Sequence, residues 1–139
     1  MTDFCLTFHF DGDSMWAAGF GLATPQYTSR ARFGREVAMP RILAFLREQE
    51  ITATWFVGGS DAEQHADAVR RIIDDGHEIA HHGWAHEDVA ALDEAAERTA
   101  IEQGLSTLER ITGNRPRGYR SPSFDLSHQS IQLLQEYGF

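Results

Sequence analysis

"FCLTFHFDGD", residues 4–13, decides the fold. Side chains along an extended segment alternate between two faces. Phe4, Leu6, Phe8 and Phe10 share one face, apolar enough to pack under helices. Cys5, Thr7, His9, Asp11 and Asp13 share the other, as far as the extended conformation persists, and that face turns polar toward its C-terminal end. This is the pattern of a barrel strand whose inner mouth carries a site. Read alone, Asp11-Gly12-Asp13-Ser14 is equally good turn sequence. The two carboxylates also suit a metal, or a phosphotransferase in which one of them is the nucleophile.

Strand and helix signals then alternate along the chain. Residues 17–35 are rich in Gly, Ala and Thr and read as a long loop that shapes a pocket. A helix follows, with Val37, Ile42, Phe45 and Leu46 on its stripe, and Pro40 places its start near Met39. Residues 51–59 are a second strand closed by Gly58-Gly59, and residues 61–76 a second helix with Val69, Ile72 and Ile73 on one face and Gly76 as its stop. Residues 77–83 read as a third strand. Residues 93–113 are the clearest helix, with Ile101, Leu105, Leu108 and Ile111 inward and Gly113 at the end. "RGYRS", 117–121, is a short fourth strand, and Ser127 caps a last helix running toward Gly138. Such alternation predicts an α/β fold with parallel strands, where chemistry collects at the carboxyl ends of the strands. Asp11 and Asp13, then His81, His82 and His86, then Arg120 all fall on that rim.

Composition narrows the partners. The chain has 139 residues and a net charge of −9, which disfavours a nucleic-acid backbone or an anionic membrane surface. All 12 basic residues are Arg, which excludes Schiff-base chemistry and any Lys-dependent phosphate site in this chain. A single cysteine, Cys5, rules out an internal disulfide and fits a reducing compartment. Met1-Thr2-Asp3 opens without a basic segment, so no secretory leader is expected and the expected location is cytoplasmic.

"HHGWAH", 81–86, is the most specific stretch. His82 and His86 are four apart, so a helical turn would bring both imidazoles to one face. Imidazoles plus a carboxylate with open positions suit zinc or another divalent ion. Arg120 is placed to orient a carboxylate and keep it ionised. Trp16, Trp84 and Pro122 flank these residues as candidate substrate-binding groups.

Together these elements resemble the polysaccharide deacetylase family, carbohydrate esterase family 4. Thr7-Phe8-His9-Phe10-Asp11-Gly12-Asp13 departs from the usual Thr-Phe-Asp-Asp-Gly. It is similar to the Asp-x-Asp branch that includes intracellular peptidoglycan-deacetylase-like proteins, allantoinases and cyclic imide hydrolases. His82 to His86 matches His-x-x-x-His, and Arg120-Ser121-Pro122 matches Arg-x-Pro. The resemblance implies a single catalytic domain over residues 1–139, the N-terminal portion of a distorted (β/α)7 barrel incomplete at its C-terminal end. A full eightfold barrel takes about 250 residues, and the family's later motifs, including its general-acid His, have no counterpart here. It also implies a metal, most simply zinc, held by Asp13, His82 and His86, with Asp11 as general base and Arg120 holding Asp11. The reaction would be hydrolysis of a non-peptide carbon–nitrogen bond in an N-acetylated sugar or a small amide. A homo-oligomer is implied by analogy only. Two other readings stay open at this level: a haloacid-dehalogenase-type phosphatase using Asp11, and a non-catalytic metal-binding or assembly module.

Overall fold

The computed structural model describes residues 4–139. Met1-Thr2-Asp3, on which the expectation of no leader rests, lies outside the described residues. Strands β1 (Thr7–Phe10), β2 (Thr54–Val57) and β3 (Glu78–His81) form a parallel sheet in that order, with Phe8 beside Trp55 and Trp55 beside Ile79. Six α-helices accompany them among the described residues: α1 (Pro25–Phe33), α2 (Met39–Glu48), α3 (Gly59–Gln64), α4 (Ala66–Asp74), α5 (Glu94–Thr112) and α6 (Ser130–Glu136). The α/β reading with parallel strands stands.

The alternation read in the first strand holds from Leu6 onward. Phe10 is buried, Leu6 and Phe8 pack against the core, and Phe8 stacks on Trp55 at 4.7 Å between ring centroids. Phe4 lies before the paired residues and is exposed, so it is not part of that face. The core is completed by Leu43 and Leu46 of α2, Val69 and Ile72 of α4, Ile79 of β3, and Leu108 and Ile111 of α5. These residues recur at helical or alternating spacing, so each element buries one face against the sheet.

Helix α5 carries its boundaries in its sequence. The Asp93 side chain accepts a hydrogen bond from the Ala96 N–H at 2.8 Å, which satisfies one of the free donors of the first turn. Gly113 adopts φ 72°, the left-handed conformation that ends a helix, and its N–H donates to the Glu109 carbonyl. Helix α2 begins at Met39 as expected. Its buried stripe is Met39, Leu43 and Leu46, and Phe45, one residue or about 100° off that stripe, is 56% exposed.

Three expectations are corrected. Residues 17–35 are not a loop: a π-helical turn, Met15–Gly19, precedes α1, and a second, Gly34–Ala38, joins α1 to α2. Thr24 in an extended conformation with Pro25 at the first helical position is an ordinary helix start. Helix α1 buries only Ala31, so it has no apolar stripe to read. The second helix is broken at His65, at φ −132° and ψ 44°, into α3 and α4. The fourth strand shrinks to a single bridge between Tyr119 and His81, because Pro116 and Pro122 bracket the segment and supply no N–H.

Candidate active site

The ends of β1 and β3 lie on one rim, with β2 between them. Asp11 follows β1 directly, and His82 follows β3. His82 Nδ1–H donates to the Arg120 carbonyl at 2.7 Å. That bond fixes the ring and leaves the Nε2 lone pair pointing at Asp11 Oδ1, 3.5 Å away. Burial pushes the His82 pKa down to about 4 against the opposing pull of Asp11, so the ring is neutral at neutral pH. His82 Nε2 and Asp11 Oδ1 are both buried, and neither has a hydrogen-bond partner. Two lone-pair-bearing atoms facing each other without a proton between them are a poor arrangement for the protein alone and a good one around a cation. His9 joins them: His9, Asp11 and His82 each offer a ligand atom, and all three lie within 4.8 Å of one another. Asp11 and His82 fit a divalent metal by donor type and by the orphaned atoms they present, and His9 by donor type and proximity alone.

The His82–His86 segment is not helical, contrary to the spacing argument. Gly83 at φ 71° turns the chain, and the Glu87 carboxylate accepts from the Trp84 N–H at 3.1 Å and the Ala85 N–H at 2.6 Å. Donors bonded to a side chain are unavailable to a helix. His86 is held at φ 57°, a costly conformation for a non-glycine residue and one typical of functional sites. The rings of His82 and His86 still meet, edge to face, at 5.4 Å between centroids, and His86 Nδ1 is buried without a partner. His81 points away and is structural: its Nε2–H donates to the Ile101 carbonyl and its Nδ1 accepts from the Gly83 N–H, both at 3.1 Å. A side chain at Gly104 would collide with the His81 ring, so that glycine keeps α5 close to β3.

Asp13 keeps different company from Asp11. Its Oδ2 lies 3.3 Å from His65 Nε2 and 3.8 Å from Arg35 Nη1, and Arg35 Nη1 donates to His65 Nε2 at 2.9 Å. The close cluster of possible ligand atoms among the described residues therefore contains Asp11 and not Asp13. Arg120 departs from its expected partner as well. Its Nη1 donates to Thr7 Oγ1 at 3.1 Å and to His9 Nε2 at 3.0 Å, with the guanidinium 4.0 Å over the Phe56 ring. No Arg120–Asp11 ion pair is found among the described residues.

The loop that carries both carboxylates is clamped from α3. Asp61 is fully buried, and its Oδ1 accepts from the Ser14 N–H at 3.2 Å while Oδ2 meets the Ser14 hydroxyl. Burial, the largest cause, pushes the Asp61 pKa up to about 7 against the lowering effect of the Ser14 bonds. Protonated, Asp61 can donate to Ser14 Oγ while Ser14 donates to the Asp11 carbonyl at 2.9 Å. Gly12, at φ 47°, faces this carboxyl so closely that any side chain would strike it.

Of the flanking residues, Trp16 lines a cavity of about 280 Å³ that also touches Asp11, Gly12, Arg30 and Arg35. The Trp16 ring carries the Arg30 guanidinium at 5.6 Å. Trp84 packs instead against Gly59, and Pro122 against Gly83. His9, Arg35, Asp61, His65 and Glu87 were not singled out from the sequence as site residues. Only His9 carries a signal, its place on the same strand face as Asp11; Arg35, Asp61 and His65 lie far from the motifs along the chain, and Glu87, directly after His86, has no pattern of its own.

No helix among the described residues is long and apolar enough to cross a membrane. Comparison with known proteins bears on the family. A family model described as polysaccharide deacetylase matches residues 33–139. A peptidoglycan deacetylase of Helicobacter pylori is 31% identical over 130 residues, covering 93% of this chain and 44% of that protein. A chitooligosaccharide deacetylase of Rhizobium leguminosarum bv. trifolii is 44% identical over 95 residues, covering 66% of this chain and 44% of that protein. A crystal structure from Mycobacterium smegmatis, assigned as a polysaccharide deacetylase, superposes with a TM-score of 0.89 at 35% identity, covering 97% of this chain and 48% of that one. The chain thus spans less than half the length of each of these relatives. The phosphatase reading is left without support. With its parallel sheet matching the N-terminal part of that barrel, the chain belongs to the polysaccharide deacetylase family.

Proposed function

We propose that the protein containing this chain is a metal-dependent hydrolase that removes acetyl groups from N-acetylated sugars. The observation that carries the proposal is the pair of buried, partnerless lone-pair atoms, His82 Nε2 and Asp11 Oδ1, facing each other at 3.5 Å. The names of the H. pylori and R. leguminosarum relatives support acetylated sugars as the substrate class. Zinc is the proposed ion, because the donor set is imidazole and carboxylate. When bound, such an ion makes water a nucleophile near neutral pH and polarises the amide carbonyl.

In this reading His82 and His86 hold the ion together with Asp13, a role given to Asp13 by its motif position, and Asp11 is the general base. Asp11 takes the proton of the attacking water as the water oxygen bonds to the acetyl carbon. That proton then passes from Asp11 to the departing nitrogen as the carbon–nitrogen bond breaks, giving acetate and a free amine. His82 is kept neutral by its burial and correctly turned by its bond to the Arg120 carbonyl. Trp16 supplies an aromatic wall for the sugar.

The division of labour is tested by measuring zinc affinity and acetate release together, using N-acetylglucosamine oligomers and the full-length protein. Asp11→Asn retains zinc and loses turnover. Asp13→Asn loses zinc affinity. If Asp11→Asn loses the zinc and Asp13→Asn keeps it, the two roles are reversed. If the zinc-loaded wild type releases no acetate, the activity is a different one.

A further inference from the structure

Arg120 and Asp11 do not meet, yet a single side chain lies between them. Arg120 Nη1 is 3.0 Å from His9 Nε2, and His9 Nδ1 is 3.6 Å from Asp11 Oδ2. A guanidinium only donates hydrogen bonds, so His9 Nε2 is the acceptor, and the proton of the neutral ring sits on Nδ1. That tautomer turns an N–H toward Asp11. The imidazole is also held in place by packing: Phe124 lies 5.6 Å away and tilted, Phe56 6.0 Å away edge-on, and His82 4.6 Å away on the remaining side. Arg120 is itself fixed by Thr7 Oγ1 and by the face of Phe56. The carboxylate is left with one oxygen facing the imidazole and the other, Oδ1, without a partner.

From this geometry we infer that His9 is a positioning residue, transmitting the orientation set by Arg120 to the carboxylate of Asp11. The inference rests on the proposed role of Asp11 as general base. The Nδ1–Oδ2 separation is beyond hydrogen-bond length, and hydrogen bonds to a catalytic group commonly shorten when the site is loaded. The arrangement differs from a direct arginine–carboxylate pair in one respect. A direct pair places a full positive charge on the base, whereas the imidazole contributes a directed N–H and sets which oxygen remains free. His9 is equally near enough to be a metal ligand, and the two roles predict different ring states: a ligand uses a ring nitrogen on the ion, and a positioning residue keeps Nε2 on Arg120 and the proton on Nδ1.

The test is the tautomer of His9, read by 15N NMR of the ring nitrogens in the full-length protein, metal-free and zinc-loaded, beside kinetics of two variants. The expected result is the Nδ1–H tautomer in both states, lost in Arg120→Ala. His9→Ala is expected to lower kcat by about 10–100-fold, as loss of a supporting hydrogen-bond partner does, with zinc affinity unchanged. His9→Asn, whose side-chain amide can offer an N–H where Nδ1–H stood, is expected to recover most of kcat. A proton on Nε2, a zinc-shifted His9 nitrogen, a fall in zinc affinity that matches the fall in kcat, or an unchanged kcat in His9→Ala would each overturn the inference. The tautomer is measured without turnover, so a protein that failed to release acetate while showing Nδ1–H and its Arg120 dependence would refute the proposed activity and not the relay.

Discussion

Two carboxylates two residues apart, Asp11 and Asp13, belong to two regions built on different principles. Asp11 closes β1, sits on the sheet that forms the core, and is 14% exposed beside His82 and His9. Asp13 opens the arm of residues 14–38, is 30% exposed, and faces Arg35 from the arm and His65 from the α3–α4 break. The strand end is fixed by packing that many residues share. The arm is held by scattered contacts, among them the bonds of Ser14 to Asp61 and the packing of Trp16 on Tyr27. The difference teaches where precision comes from: the group given the proton-transfer role stands on the rigid element, and the group given the ligand role stands where the chain has room to adapt.

The largest effect is expected from Asp11→Asn. Loss of a general base lowers kcat by about 10²–10⁴-fold, read as acetate release by zinc-loaded protein, and the fold is expected to be unchanged by circular dichroism. A fall of less than tenfold would remove Asp11 from the chemistry. Next in size is the core beneath the strand ends. Leu108→Ala empties a fully buried position of α5 and is expected to cost about 2–5 kcal/mol of stability in urea unfolding.

The clamp between the two regions is tested by pH. The folded-state pKa of Asp61 is raised to about 7 from an ordinary 3.8. The folded protein therefore holds a proton that the unfolded chain releases, and stability falls as pH rises from about 4 to about 7 and levels off above that. Asp61→Asn keeps the shape, cannot ionise, and is expected to flatten this slope. The check is the urea midpoint of both proteins at about pH 5 and about pH 8. An equal slope in the variant would place the ionisation elsewhere. The smallest effect belongs to the arm's outer face: Phe33→Ser alters an exposed side chain and is expected to stay within about 0.5 kcal/mol. A larger loss would show that the arm is packed against something outside this chain.

The same contrast explains what could be read from the sequence. The strands, α5 and α2 were legible because burial imposes a period on their residues, as with Ile101, Leu105, Leu108 and Ile111. Helix α1 was not, because it buries one alanine and so has no apolar stripe; beyond the Thr24-Pro25 start only composition remains, and composition favours a loop. The break at His65 was invisible because the helical pattern runs through it; the interruption coincides with His65 reaching Asp13 and Arg35 across the fold. At the site, the motifs placed Asp11 and His82 on one rim because both follow strands of one sheet. They could not show that Arg120 stops at His9, because that depends on a side chain filling the space between two motif residues.

The central claim is that the strand-end rim is built around a metal ion, and the most direct measurement is the anomalous scattering of zinc in crystals of the full-length protein. The expected result is one peak at about 2.0–2.1 Å from His82 Nε2, the ordinary zinc–imidazole distance, and its disappearance in His82→Ala. A zinc-soaked crystal with no peak at that nitrogen, or with the peak retained in His82→Ala, would contradict it.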